Sequence, residues 1–178
     1  MARLASSAGV LGGFALAACL VQRPIPDPPP ATAAHETRRS FHADGTTRSE
    51  TRVVVWSDGR VERDGPEREY YLDGALEAER FFVHDAPTGS WRTWFPTGTP
   101  RSEVDFGTPG SDVPCVQRFW HSNGQLAAEG TAVDGVREGR WNYWSENGAI
   151  LRAGTYRGGK RDGSWSFHDE HGAKRAYS

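Results

Sequence analysis

Phe119-Trp120-His121-Ser122-Asn123-Gly124-Gln125-Leu126 and Tyr143-Trp144-Ser145-Glu146-Asn147-Gly148-Ala149-Ile150 are two copies of one phrase. Each runs through two aromatics, a polar pair, Asn-Gly and an aliphatic. Asn-Gly between strand-like runs is a strong hairpin signal, because both residues tolerate positive φ. Working outward, glycines fall at Gly74, Gly98, Gly124, Gly148 and Gly172, in steps of 24, 26, 24 and 24 residues. Gly89-Ser90-Trp91, Gly139-Arg140-Trp141 and Gly163-Ser164-Trp165 keep a similar time. Self-similarity at a fixed period means stacked copies of one small unit.

The other end of each unit is a second tight turn, Asp134-Gly135-Val136-Arg137-Glu138-Gly139 or Gly158-Gly159-Lys160-Arg161-Asp162-Gly163. Each unit thus reads strand, turn, strand, turn, and no helix-period stretch follows Ala34. The expected fold is all-β: an antiparallel meander of tandem β-hairpin repeats, period about 24, forming one elongated sheet over residues 41–178. Asp44-Gly45, Asp58-Gly59 and Asp73-Gly74 are the same turn device. Their close spacing reads as short or degenerate first units.

The run of aromatic, Asn-Gly, short strand and Gly-x-x-x-Gly-x-Trp resembles the MORN repeat, in the variant form found in bacterial proteins described as antitoxins. The resemblance covers residues 67–178 well and 41–66 loosely. It implies a non-catalytic repeat sheet that binds protein, with neutralisation of a toxin as the alternative that the antitoxin label implies.

Residues two apart on a strand share a face. Trp141 pairs that way with Tyr143, Trp165 with Phe167 and Trp91 with Thr93, while Asn142, Ser166 and Arg92 lie between them. The expected structural core is therefore Trp91, Trp141, Trp165, Tyr143 and Phe167, with Leu76, Leu126 and Ile150. A second aromatic slot recurs at Tyr70, Trp94, Trp120, Trp144 and His168. Alternation sends it to the opposite face, where it forms a candidate binding ladder for protein or glycan. The competing reading is local packing of each ring on the neighbouring hairpin. Arg80, Arg92, Arg118, Arg140 and Arg152 read as solvated sheet-face charges.

Catalytic candidates are thin. Gly154 to Lys160 imitates a phosphate loop, but Arg161 stands where Ser or Thr is needed and no helix follows, so it reads as a repeat turn. His168-Asp169-Glu170-His171 offers two imidazoles and two acids, yet no third positioned ligand, and His168 already fills the ladder slot. No nucleophile–base pair can be built. No catalytic residue, metal, cofactor or small-molecule substrate is expected.

The ends carry a separate message. Arg3 followed by apolar Leu4–Ala18 reads as a secretory signal, residues 1–18. It ends Leu16-Ala17-Ala18-Cys19, which resembles the bacterial lipobox, so Cys19 is the expected lipidation site and membrane contact. Residues 19–40 form a Pro-rich linker; its prolines favour an extended polyproline stalk. The expectation is export across the inner membrane and lipid anchoring in the envelope, with outer-membrane sorting since Leu20 follows the cysteine. Removing residues 1–18 removes Arg3 and no acid, leaving 20 basic against 23 acidic residues. That mild balance gives no footprint for nucleic acid. The second cysteine, Cys115, has no intramolecular partner if Cys19 is acylated; otherwise a disulfide between the two is possible.

Overall fold

The computed structural model describes residues 33–107 and 114–174. Eleven strands follow one another: β1 Ala33–Phe41, β2 Thr47–Trp56, β3 Val61–Tyr70, β4 Leu76–Val83, β5 Ala86–Trp94, β6 Pro100–Asp105, β7 Cys115–Trp120, β8 Leu126–Val133, β9 Val136–Trp144, β10 Ile150–Arg157 and β11 Lys160–Phe167. They lie in one sheet in sequence order, every neighbouring pair antiparallel. This is the open meander expected from the repeat.

The two ends of the sheet use different turns, except that the Gly59 loop at the second end has the form of the first. At one end lie the loops of Gly45, Gly74, Gly98, Gly124, Gly148 and Gly172. In the Gly124 loop, Gly124 N donates to His121 O and His121 N to Gln125 O, both 2.9 Å. Only the glycine has positive φ, +87°, and Asn123 Oδ1 accepts from Gln125 N at 3.0 Å. This is a type I turn closed by a left-handed glycine, in which Asn caps the chain through its side chain. The Asn-Gly signal thus marks a true hairpin, but not the two-residue form. That form sits at the opposite end, at His84-Asp85, Asp134-Gly135 and Gly158-Gly159, where both residues have positive φ.

Two sequence readings need correction. Gly59 belongs to the opposite end of the sheet from Gly45 and Gly74, so the first unit is not short: it runs from Gly45 to Gly74 across β2 and β3, a step of 29 residues, longer than the later ones. Residues 33–40, assigned to the linker, are the greater part of β1, paired with β2 from Ala33↔Trp56 onward. All nine β1 residues are exposed; its polar composition hid a strand held by backbone pairing and polar side-chain contacts such as Arg39–Glu50 and Ser40–Ser49.

A single sheet has no second layer, so its core is made by side chains of one face leaning on each other. One cluster joins Phe119, Ala128, Trp141, Tyr143 and Tyr156, with Trp165 packed against it. Another joins Val104, Phe106, Cys115 and Ala132, with Trp91 against it. Trp141 is 0% exposed. Phe119 and Tyr143 stack beside it at 6.5 and 5.9 Å, and Tyr156 meets it edge-on at 6.3 Å. Leu76, Leu126 and Ile150 are only half-buried and stand opposite Tyr70, Trp120 and Trp144.

Candidate functional site

The tryptophan face is built on a repeated device. Trp141 covers Gly130 of β8, and Trp165 covers Gly154 of β10; a Cβ at either glycine would fall inside the indole. Each indole N–H then donates back: Trp91 to Phe81 O at 2.9 Å, Trp141 to Thr131 O at 2.8 Å, Trp165 to Thr155 O at 3.1 Å. Gly139 (φ +73°) and Gly163 (φ +65°) lie within β9 and β11, where the extra residues of a bulge swing the next tryptophan over its seat. Gly154 is thus a mid-strand seat and not part of a turn; only Gly158-Gly159 turn the chain.

Trp91 departs from this pattern. Arg80 occupies the equivalent seat, its guanidinium 6.0 Å from the Trp91 ring and bonded to Glu67 and Glu69, both at 3.1 Å. Trp91, Trp165 and Phe167 are half-buried where Trp141 and Tyr143 are buried.

The opposite face carries Tyr70, Trp94, Trp120 and Trp144 at equivalent positions of β3, β5, β7 and β9; His168 follows β11. All five are half-buried. Among the described residues no ring contact or indole hydrogen bond involves Trp94, Trp120 or Trp144. Their backbones, in contrast, are tied down. Tyr71 Oη donates to Trp94 O at 2.7 Å, His121 Nε2 bonds Trp144 O at 2.9 Å, and His42 Nε2 bonds Tyr70 O at 3.0 Å. Asn123 and Asn147 donate side-chain N–H to Glu146 O and Glu170 O of the following loop, at 2.7 and 2.8 Å. The preceding repeat thus ties down the ladder position at Tyr70, Trp94 and Trp144. At the frayed end, His168 Nδ1 is buried without a hydrogen-bond partner.

Beside the ladder runs a row that sequence reasoning missed. Arg39, Glu50, Arg68, Glu79, Arg92, Glu103, Arg118 and Glu129 are successive register partners from β1 to β8. Arg39–Glu50 closes at 2.7 Å; Arg68–Glu79, Arg92–Glu103 and Arg118–Glu129 close at 2.9 Å. The Arg39 guanidinium, with its charge, holds the Glu50 carboxyl below the ordinary range against the cost of desolvation. The signal was present: Arg68, Arg92 and Arg118 keep the 24- and 26-residue steps, as do Glu79, Glu103 and Glu129. Arg80 and Arg152, grouped with Arg92 and Arg118 in the sequence, lie instead on the tryptophan face.

Two tyrosines of the tryptophan face are linked. Tyr143 Oη donates to Tyr156 Oη at 3.3 Å, and Arg137 Nη1 reaches the same oxygen at 3.4 Å. Burial pushes Tyr143 up, and donating to Tyr156 adds to it. Burial acts on Tyr156 in the same sense, but the accepted bond and the charges of Arg137 and Arg152 outweigh it and pull Tyr156 down. No group of three or more His, Cys, Asp or Glu able to hold a metal occurs among the described residues. Cys115 is 6% exposed and disulfide-bonded. Cys19 and the signal and Pro-rich segments lie outside the described residues.

Fold and site together define a tandem β-hairpin repeat protein with two chemically distinct faces. Residues 63–84, spanning most of β3, the β3–β4 loop and β4, match a family model described as a MORN repeat variant. The match supports a MORN-repeat family, a repeat type that is generally non-enzymatic. No curated protein and no solved structure matches the chain.

Proposed function

We propose that this protein is a non-catalytic, envelope-anchored interaction module that holds a protein partner against its aromatic ladder. The observation that carries the reading is the contrast between the faces. The tryptophan face consumes its rings in mutual contacts, whereas Trp94, Trp120 and Trp144 have no ring partner among the described residues, and Trp94 and Trp144 are held by side-chain bonds to their carbonyls. Half-exposed tryptophans on a rigid support are the side chains that dominate protein interfaces. An immunity protein would be the same module with a toxin as its partner, and the identity of the captured protein separates the two.

Anchoring rests on Leu16-Ala17-Ala18-Cys19 and the stalk that follows. It makes a chemical demand on the cysteines. The chain holds two; a thioether on Cys19 leaves no thiol there for Cys115. A lipidated chain whose Cys115 is oxidised must therefore find its sulfur partner in another molecule. The test of the functional reading is capture from the native envelope by wild type and by Trp120→Ala. A partner retained by wild type and lost by the variant supports the ladder; equal capture by both refutes it.

A further inference from the structure

Arginines on the tryptophan face lie against aromatic rings throughout, but the two halves of the sheet treat their charge differently. In the N-terminal half every such guanidinium described here also has a carboxylate. Arg60, 5.9 Å from the Trp56 ring, pairs with Asp58 and Glu62. Arg63, 3.9 Å from Phe82, pairs with Asp85 at 2.8 Å. Arg80, over Trp91, pairs with Glu67 and Glu69.

In the C-terminal half three ring-stacked arginines have no carboxylate partner among the described residues. Arg137 sits 4.8 Å from the Trp141 centroid, 5.5 Å from Tyr156 and 5.9 Å from Tyr143. Arg152 sits 4.1 Å from Tyr143. Arg161 sits 5.1 Å from Trp165 and 5.3 Å from Phe167. The rings between them touch: Tyr156–Trp165 at 4.9 Å and Tyr143–Trp165 at 6.5 Å. The three charges thus rim one continuous aromatic floor across β9, β10 and β11.

A guanidinium lying on a ring keeps its in-plane N–H fork free for a carboxylate, and stacking removes much of the entropy cost of fixing it. From these arginines we infer a second binding surface, the Arg137–Arg152–Arg161 rim of the tryptophan face, which takes an extended acidic polypeptide segment. The occupant follows from the spread of the forks. Arg152 lies on Tyr143, while Arg161 lies over Trp165 and Phe167, with ring surface between them. A chain offering several carboxylates can meet more than one fork at once; a single phosphate group would meet one fork. The local charge fits the same occupant: after the hydrogen bond from Tyr143, the charges of Arg137 and Arg152 act to lower the Tyr156 hydroxyl. The inference rests on the reading of the protein as an interaction module, but uses the face opposite the ladder.

The test is binding of a labelled short polyglutamate peptide to the intact protein, followed by anisotropy and by the fluorescence of Trp141 and Trp165. Wild type should bind polyglutamate and not polylysine, and less well as salt rises. Arg152→Gln and Arg161→Gln should each weaken binding about tenfold or more, the usual effect of losing a charged hydrogen bond. Arg92→Gln, on the other face, should leave binding unchanged. Arg161 is exposed, so its variant remains informative if Arg152→Gln fails to fold. The inference falls if Arg161→Gln binds like wild type or if Arg92→Gln is equally impaired. It also falls if inorganic phosphate competes as well as the peptide, or if only vesicles of anionic phospholipid bind. A wild-type protein that captures its partner through Trp120 but binds no polyglutamate would overturn this surface and leave the ladder standing.

Discussion

The indole of Trp141 covers the backbone of Gly130, its register partner on β8, and leaves no room there for a Cβ. Gly130→Ala should therefore destabilise by about 1–3 kcal/mol, the usual cost of overpacking, although alanine normally stabilises a strand interior relative to glycine. In a Trp141→Ala background the same change should cost little. Denaturant midpoints for the four proteins of this cycle check the coupling; additive effects would mean the two residues do not share a seat.

Trp141→Ala alone should cost roughly 3–5 kcal/mol, as deletion of a large buried aromatic does. Arg140→Ala, one residue earlier and exposed, should stay within about 0.5 kcal/mol. Equal shifts in thermal midpoint would contradict the assignment of faces.

Reversing one charge of the Arg/Glu row should hurt more than deleting one. Glu103 faces Arg92 and Arg118 on either side. Glu103→Ala should cost about 1 kcal/mol or less, because these pairs are partly exposed. Glu103→Lys places three like charges in line and should cost more at low salt than at high salt. A salt-independent penalty would point to packing as its cause.

Asp44, Asp58 and Glu50 all have lowered carboxyl pKa values. For Asp44 the main cause is the Thr46 hydroxyl, for Asp58 and Glu50 the arginines Arg60 and Arg39. A folded pKa below the unfolded one gives stability that is present above the unfolded value and lost as pH falls through the folded value. Denaturant midpoints should be flat near neutrality and decline below about pH 4.5. In Glu50→Gln the decline should be shallower. A midpoint that rises on acidification would contradict the sign.

Cys19→Ser separates the two fates of that cysteine. If Cys19 is acylated, wild type fractionates with membrane and the variant with the soluble envelope. Intact mass without reductant should then show lipid on wild type, and any Cys115 disulfide should be between chains. A monomeric, unlipidated wild type with no free thiol would refute the anchor.

The meander was legible because its turns and its tryptophans are both written in the period. Asn123-Gly124 marks a hairpin whichever turn type closes it. The alternation Trp141-Asn142-Tyr143 fixes which side chains share a face. What stayed hidden depends on register, which a sequence read strand by strand does not give. Arg92 and Glu103 are neighbours only once β5 lies on β6, and Gly130 becomes a seat only when β9 brings Trp141 over it. Strand β1 was hidden for a different reason: an edge strand exposed on both faces needs no hydrophobic alternation.

The central division of labour, one tryptophan face for folding and one ladder for binding, is tested most directly by comparing Trp141→Ala with Trp144→Ala. Thermal unfolding and partner capture are measured on the same two preparations. Expected is a double separation. Trp141→Ala loses several kcal/mol of stability. Trp144→Ala keeps most of its stability and loses its partner, at a cost of about 2 kcal/mol or more in affinity if it is a hot spot. A Trp144→Ala protein that is destabilised like Trp141→Ala yet still captures the partner would contradict it.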